Sequence, residues 1–366
     1  MLILIYAILL LNIFILVLIL MIRLGNPLYY KKRGTVAGYP KISILVAARN
    51  EEKLILNCLK SLNELSYSRN YYEVLIGDDD SIDNTYQLVK EYIADKPNFK
   101  LYSAKEYESN TKAKARVLSF LESKATGEVL FITDADMVLP KDWIQYMLSG
   151  FKKNTGIVNG FSVPDSVSLP GRMQAIDWLY SMSLIQLVSD LGRPVTAIGN
   201  NMAVLRKAYQ DVGGYEKIPF SIIEDFELFK AVKKKGYNVK NILSYRVLAY
   251  TQPIYSFTGL LQQRKRWMRG AIQLPKWLVL ILFIQGIYYT ALLASLFFND
   301  HKITIAFFIP KMLLEAFFIL YTLYKIRKIN WIYWVPVWSI YNIILSQLMM
   351  FFYIIPIKTK WKGRTH

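Results

Sequence analysis

The chain has 366 residues, 54% of them hydrophobic, and a net charge of +18 at pH 7. That hydrophobic fraction is too high for a purely water-soluble protein, so part of the chain is expected to lie in lipid. A single cysteine excludes an intrachain disulfide, and two histidines exclude a histidine-rich metal site. Any bound metal must therefore rely on carboxylates, which favours Mg²⁺ or Mn²⁺ over Zn²⁺.

The first predicted element is a transmembrane anchor over residues 1–23. Its uncharged core, residues 2–22, is long enough to cross the ~30 Å apolar core of a bilayer as a helix. It is longer than the apolar core of a signal peptide, and no small-residue cleavage site follows it. Residues 24–40 then form a basic linker, and positive charge on this side predicts that the following domain is cytoplasmic.

Residues 41–256 are predicted to form an α/β domain with a mostly parallel sheet. Apolar segments of strand length alternate there with segments of helical periodicity, which is typical of βαβ units. The predicted strands are 42–46, 73–76, 129–133, 157–161 and 202–205, and the predicted helices are 51–65, 85–94 and 112–124. A further apolar helix over 173–188 is expected to pack in the core or at an interface; an acceptor groove is the alternative.

The C-terminal part is predicted to return to the membrane. Residues 257–276 mix apolar and cationic side chains, as in a helix that lies in the headgroup layer. Residues 277–357 contain two or three membrane segments, and 358–366 form a basic tail. The charge rule predicts that this tail is cytoplasmic, in which case 331–357 would enter and leave the membrane on one side as a hairpin; a simple span, which would place the tail outside, is the alternative. Lys311 and Glu315, four residues apart, should share one helix face and steady the bundle; an acceptor path is the alternative.

Two acidic clusters follow predicted strands. One runs from Asp78 to Asp83, and the other is Asp134-Ala135-Asp136. Ligands of open α/β sheets bind at the carboxyl ends of the strands, where both clusters lie. Two carboxylates two residues apart can converge on one hard cation, whose other ligands are diphosphate oxygens and water. Because an isolated Asp-x-Asp is common in solvated turns, this pair alone does not identify a metal site.

Further motifs follow one another in a specific order along residues 41–270. They are Arg49-Asn50-Glu51, Asp78-Asp79-Asp80-Ser81, Lys112-Ala113-Lys114-Ala115, Gly199-Asn200-Asn201, Val212-Gly213-Gly214-Tyr215, Glu224-Asp225 and Gln263-Arg264-Lys265-Arg266-Trp267. The series resembles the membrane-bound family-2 glycosyltransferases, which include carotenoid, ceramide-type and polysaccharide synthases. The resemblance implies a Rossmann-like GT-A catalytic domain, a nucleotide-diphosphate sugar donor, expected to be a UDP-sugar, and an Mg²⁺ or Mn²⁺ cofactor.

The resemblance implies roles for residues of the donor site. Those implied to contact the nucleotide or diphosphate are Arg49, Glu51, Asp79, Lys112 and Asp134. Asp136, helped by Asp134, is the implied metal ligand. Asp80 departs from the family pattern, because glycine usually stands at that position.

The resemblance also implies the catalytic residues. Asp225 matches the acidic residue that acts as base, and Glu224 precedes it; Ile223 stands where the family often has threonine. The residues of the motif that closes over the donor and helps form the acceptor site are Gln263, Arg266 and Trp267. Without that motif, Trp267 would be interpreted as a membrane-interface anchor.

These observations predict an inverting hexosyltransferase of the inner membrane, multi-pass, with a cytoplasmic catalytic domain. An in-line attack inverts the anomeric centre, and the resemblance offers no position for the nucleophile of a retaining enzyme. A lipid or carotenoid-type acceptor is favoured because the chain has few spans. A short processive polysaccharide synthase and a non-catalytic nucleotide-sugar-binding membrane protein are the alternatives. Nucleic acid is not an expected partner, since the positive charge follows the membrane flanks.

Overall fold

The computed structural model describes residues 2–25, 40–165, 167–298, 301–354, 360–361 and 364–365. The chain divides into two compact units. One comprises Met1–Lys31, Ser166–Leu187 and Pro253–His366, and the other comprises Lys32–Asp165 and Val188–Gln252. We call the first the helical unit and the second the sheet unit.

The strands of the described residues are β1 Ile42–Ala48, β2 Tyr72–Asp78, β3 Phe99–Ser103, β4 Val129–Asp134, β5 Thr155–Asn159, β6 Phe161–Pro164, β7 Asn201–Leu205, β8 Asn238–Asn241, β9 Leu248–Thr251, β10 Lys360–Trp361 and β11 Arg364–Thr365. In the sheet unit they form a seven-stranded sheet of order β3-β2-β1-β4-β7-β5-β8 and a separate β6-β9 pair. Only β7 runs antiparallel to its neighbours in the larger sheet, so the prediction of a mostly parallel α/β sheet is confirmed.

The helices of the described residues are α1 Leu2–Leu24, α2 Ile55–Asn63, α3 Thr85–Ile93, α4 Ala113–Lys124, α5 Trp143–Leu148, α6 Leu169–Asp190, α7 Arg206–Asp211, α8 Gly214–Lys217, α9 Glu224–Lys234, α10 Phe257–Ala271, α11 Lys276–Phe298, α12 His301–Lys325 and α13 Val335–Ile354. Short 3-10 helices occupy Arg69–Tyr71, Tyr245–Val247 and Ile329–Trp334. The predicted helix 51–65 starts later, at Ile55, because residues 51–54 form a turn in which the Leu54 and Ile55 amides donate to the Glu51 carbonyl.

The core of the sheet unit lies around β1, β2 and β4. Ile44, Leu75 and Phe131 are completely buried, as expected for parallel strands covered by helices on both faces. The predicted strand 157–161 is in fact two strands, β5 and β6, separated at Gly160. A side chain at Gly160 would collide with the side chain of Asn201, so the break lies where only glycine fits.

The helical unit contains four helices long and apolar enough to cross a membrane among the described residues: α1, α11, α12 and the segment Ile329–Phe352. Ile5 and Leu9 of α1 pack against Tyr288 and Leu292 of α11. In the segment 331–357, which was predicted to re-enter the membrane as a hairpin, residues 335–354 form one uninterrupted helix instead of a hairpin. Pro336 does not break this helix, since it lies in the first turn, where an intrahelical N–H bond is not required.

Polar side chains meet inside the helical unit. Lys311 and Glu315 form a buried ion pair one turn apart on α12, which confirms the predicted shared face. The Tyr289 hydroxyl of α11 accepts from Lys311 Nζ at 3.1 Å and from Asn342 Nδ2 of α13 at 2.8 Å. Because each charge has an opposite charge beside it, these contacts support a role in steadying the bundle.

Candidate active site

The carboxyl ends of β1, β2 and β4 bring both acidic clusters to one edge of the sheet. Ala48 of β1 is in register with Asp78, and Ala47 is in register with Asp134. Asp78 is buried, whereas Asp134 and Asp136 are partly exposed. This is the edge at which open α/β sheets bind ligands.

The loops that follow β1 and β2 bring three predicted donor-site residues together. Arg49 Nη1 donates to the backbone oxygen of Asp79 at 2.7 Å. Glu51 is buried, and its amide donates to Thr85 Oγ1 at 2.7 Å. Arg116, which sequence reasoning missed, lies with Nη2 2.6 Å from Asp79 Oδ1. The guanidinium groups of Arg49 and Arg116 therefore both orient the Asp79 carboxylate.

Several residues beside this edge adopt left-handed backbone. The φ angles of Asn50, Asp80 and Ala113 are 52°, 58° and 51°. The value at Asp80 gives a physical reason for the glycine usual there, since glycine reaches positive φ without strain and aspartate tolerates it better than most residues. Strain of this kind tends to accumulate where side chains are aimed at a ligand.

Lys114 lies at the acidic centre, two residues after Lys112. The predicted diphosphate residue, Lys112, is exposed and immediately precedes α4. Lys114 Nζ instead lies 2.6 Å from Asp134 Oδ1 and 3.0 Å from Glu224 Oε1. Burial opposes its charge, but the carboxylates of Asp134, Glu224 and Asp225 outweigh burial and raise the pKa of Lys114. The sequence motif contains Lys114, but nothing in the motif indicated a role for it.

Asp225 lies in the first turn of α9 and is fixed by two backbone amides. Gly199 N donates to Oδ2 at 2.7 Å and Phe226 N donates to Oδ1 at 2.8 Å. A Cβ at Gly199 would lie 2.8 Å from Asp225 Cβ, so glycine is required for this approach. Burial and the negative charge of Glu224 raise the pKa of the Asp225 carboxyl to about 6, against the opposing effects of Lys114 and the two amides. A carboxyl with this pKa is suited to accept a proton near neutral pH.

The predicted metal ligands have different partners. Asp136 Oδ2 accepts from Thr251 Oγ1 at 2.8 Å, while Asp134 pairs with Lys114. The described residues contain no group of three or more histidine, cysteine or acidic side chains placed to hold a metal. Oxygen donors of this kind fit a hard cation that uses one or two carboxylates and takes its remaining ligands from phosphate and water.

The predicted closing motif, Gln263, Arg266 and Trp267, lies on α10 in the helical unit. The Trp267 ring packs edge-on against Trp178 of α6, with centroids 4.8 Å apart. The guanidinium of Arg264 lies over the same ring at 4.5 Å and forms an ion pair of 2.5 Å with Asp177. Asp177 and Trp178 were missed by sequence reasoning, because only the fold brings α6 beside α10.

Comparison with known proteins decides the family, since the sequence model of glycosyl transferase family 21 matches residues 4–365. The chain belongs to glycosyl transferase family 21. The predicted GT-A glycosyltransferase resemblance is thereby confirmed, under a different family number. Among its described residues, this family 21 glycosyltransferase has four helices long and apolar enough to cross a membrane, which suggests membrane association.

The chain is also similar to individual curated proteins, at about a quarter of identical residues. It is 26% identical to the probable glycosyltransferase YdaM of Bacillus subtilis (strain 168), over 66% of this chain and 57% of that protein. It is also 26% identical to the beta-monoglucosyldiacylglycerol synthase of Nostoc sp. (strain PCC 7120 / SAG 25.82 / UTEX 2576), over 68% of this chain and 52% of that protein. The chain thus spans little more than half the length of these curated relatives.

The solved mannosyltransferase PcManGT from Pyrobaculum calidifontis has a similar fold. Its structure contains GDP-Man and Mn²⁺, and the comparison gives a TM-score of 0.58 at 18% identity. The match covers 92% of this chain and 99% of that one. At this level of identity the likeness establishes the GT-A fold of the family 21 glycosyltransferase.

Proposed function

We propose that this enzyme transfers a hexose from a nucleotide-diphosphate donor to a hydroxyl of a membrane-resident lipid, with inversion at the anomeric carbon. The observation that carries the proposal is the acidic centre of the sheet unit, where Asp225 is anchored by Gly199 N at 2.7 Å. The described part of the chain has four helices of membrane length, which favours an acceptor that resides in the bilayer. The relatives named beta-monoglucosyldiacylglycerol synthase support a lipid acceptor.

Asp225 is the proposed general base. The acceptor oxygen attacks the anomeric carbon, the bond from that carbon to the diphosphate oxygen breaks, and the acceptor proton passes to a carboxylate oxygen of Asp225. Oδ1 and Oδ2 each accept one backbone N–H, so the carboxylate is oriented before the acceptor arrives. Because one displacement occurs on the face opposite the leaving group, the product has inverted configuration.

The leaving diphosphate gains negative charge as the bond breaks. Asp136 and Asp134 would hold a divalent cation, expected to be Mg²⁺ or Mn²⁺, which would neutralise that charge as a Lewis acid. The presence of Mn²⁺ with GDP-Man in the PcManGT structure supports this assignment. Lys114, 2.6 Å from Asp134 Oδ1, keeps the unliganded carboxylates from repelling one another.

The nucleotide is proposed to lie against Arg49, Glu51 and Asp79. The loops after β1 and β2 that carry them are joined by hydrogen bonds, including Asn50 N to Ser81 Oγ at 3.0 Å and Ile82 N to Asn50 Oδ1 at 3.0 Å. Two loops joined in this way form a preorganised surface for a base and ribose. A UDP-sugar is the expected donor, and GDP-mannose is the competing one to test.

The enzyme is proposed to be multi-pass in the inner membrane, with the sheet unit in the cytoplasm. Positive charge at Arg23, in the last turn of α1, and in the linker sequence that follows favours this orientation. The donor would then be drawn from the cytoplasmic pool of nucleotide sugars. A lipid acceptor would be reached from the cytoplasmic leaflet.

Incubation of membranes containing the full chain with radiolabelled UDP-sugars and GDP-mannose tests this function. Label that enters the organic phase as one sugar per lipid, at a rate that falls about 10²- to 10⁴-fold with Asp225→Asn, is the expected result. Label in an insoluble polymer would show processive synthesis instead. Specific nucleotide-sugar binding with no transfer to lipid or polymer would support the non-catalytic alternative.

A further inference from the structure

The indole of Trp267 is held from two directions inside the helical unit. Trp178 meets it edge-on at an interplanar angle of 67°, and the Arg264 guanidinium covers its ring at 4.5 Å. Asp177, adjacent to Trp178 on α6, completes the arrangement with Oδ2 2.5 Å from Arg264 Nη2. Asp177 and Trp178 of α6 therefore contact Arg264 and Trp267, which lie one turn apart on α10.

The ion pair between Asp177 and Arg264 joins two helices at a cost in desolvation free energy. Arg264 is only 8% exposed, and burial raises the pKa of Asp177 while the charge of Arg264 lowers it. A buried ion pair often stabilises a protein less than well-packed apolar side chains of the same volume do. Its advantage is geometric, because a planar guanidinium held by a carboxylate has a defined orientation against an aromatic face.

Two buried polar atoms, one on α6 and one on α10, have unused hydrogen-bonding capacity. Trp178 Nε1 and Gln263 Oε1 are buried and, among the described residues, neither has a hydrogen-bond partner. Trp178 contacts Trp267 directly, and Gln263 lies one helical turn before Trp267 on α10. One atom is a donor and the other an acceptor, and a hydroxyl group can satisfy both because it donates and accepts.

We propose that Asp177 is a positioning residue which, through Arg264, orients Trp267, and that Trp178 Nε1 and Gln263 Oε1 bind a hydroxyl of the acceptor beside that indole. The proposal rests on the glycosyl-transfer function proposed above. It assigns to α6 a part of the acceptor site and identifies the recognised chemistry as a hydroxylated headgroup stacked on an aromatic ring. The donor site in the sheet unit is not part of this assignment.

The experiment uses the full chain in detergent with fluorotryptophan in place of tryptophan, observed by fluorine NMR. Trp267→Phe assigns the Trp267 resonance, and Trp143, buried in the sheet unit, serves as an internal reference. Asp177→Asn removes the charge with little change of volume, and Asp177→Glu tests rescue. Glu122→Gln is the matched control, since Glu122 pairs with Arg206 at 3.0 Å in the sheet unit.

The expected result is that Asp177→Asn shifts or broadens the Trp267 resonance without substrate, leaves the Trp143 resonance unchanged, and is partly corrected in Asp177→Glu. In kinetics, kcat/KM for the lipid acceptor should fall about 10- to 100-fold, while hydrolysis of the donor by water and nucleotide affinity stay within about twofold. Trp178→Phe, which removes the indole N–H and also shortens the ring that packs on Trp267, should raise the acceptor KM.

Two results would overturn the inference. An unchanged Trp267 resonance in Asp177→Asn would show that the ion pair does not orient the indole. The apolar double variant Asp177→Leu with Arg264→Met would do the same if it kept both its thermal midpoint and full acceptor kcat/KM, because the pair would then only join helices. If the wild-type chain transferred no sugar, the proposed function would be refuted. The fluorine spectra would still test whether Asp177 orients Trp267.

Discussion

Replacing Asp225 by asparagine separates proton transfer from donor binding. Asparagine keeps the volume, so the close approach of Gly199, where an added Cβ would lie 2.8 Å from Asp225 Cβ, is undisturbed. One of the two backbone amides that now donate to the carboxylate would face an amide NH₂ instead. Loss of that hydrogen bond costs about 0.5–1.5 kcal/mol, and removal of the repulsion from Glu224 offsets part of it. The variant is therefore expected to remain folded.

The effect on the rate should be far larger than the effect on stability. Loss of a general base lowers kcat by about 10²- to 10⁴-fold, which corresponds to roughly 3–5 kcal/mol in the transition state. Donor affinity should change little, because Asp225 is used when the acceptor proton leaves. The assay is single-turnover transfer combined with direct measurement of nucleotide-sugar affinity. Glu227→Gln, the same chemical change on the same helix, is the control and should retain wild-type kcat.

The pH profile provides an independent check on the same residue. Because burial and Glu224 raise the Asp225 pKa to about 6, the base is ionised above this pH and protonated below it. Wild-type kcat should therefore fall as the pH is lowered through about 6, and this limb should be absent from the residual activity of Asp225→Asn. Persistence of the limb in the variant, or a loss of donor affinity in proportion to the loss of rate, would refute the assignment.

Three further predictions concern the metal, the backbone and the topology. Asp136→Ala and excess chelator should each abolish transfer, and undiminished activity under chelation would contradict the metal assignment. Asp80→Ala should lower the free energy of unfolding by about 1 kcal/mol, because its φ of 58° is strained for alanine, whereas Asp80→Gly should not, as thermal unfolding would measure. A cysteine at Thr365, in a Cys58→Ser background, should react with an impermeant thiol reagent in intact cells, because a continuous α13 that spans the membrane would place the tail outside. Protection of this cysteine would show instead that the tail is cytoplasmic, as the charge rule predicts.

The central strands were predictable because their apolar character is nearly uninterrupted. β1, β2 and β4 are buried along almost their whole length, so few polar residues obscure the pattern. β3 was missed because it lies at the sheet edge, where only Phe99 is buried and the other four residues, including Lys100, are exposed or half-buried. β9 was missed because its four residues, Leu248–Thr251, are too few to show periodicity.

The candidate site was predictable where residue type and local position decide the role. Asp134 and Asp136 follow a strand directly, so their place at the sheet edge follows from the pattern. The role of Lys114 could not be predicted without knowing where α4 begins, since Lys114 lies on the helix, two positions after Lys112, and points in a different direction. Asp177 could not be found, because its partner Arg264 is distant in sequence and nothing in the local pattern of α6 marks the contact.

The ion pair of α12 has a consequence for the way this chain enters the membrane. Lysine alone at the centre of a transmembrane helix opposes insertion by about 2.5–3.5 kcal/mol. Lys311 carries Glu315 one turn away on its own helix, so α12 can leave the translocon with its charges already neutralised. The Tyr289 hydroxyl of α11, which is synthesised before α12, accepts from Lys311, and the Asn342 amide donates to that hydroxyl once α13 has joined the bundle. Helix α13 is thereby selected by a hydrogen bond as well as by its apolar surface.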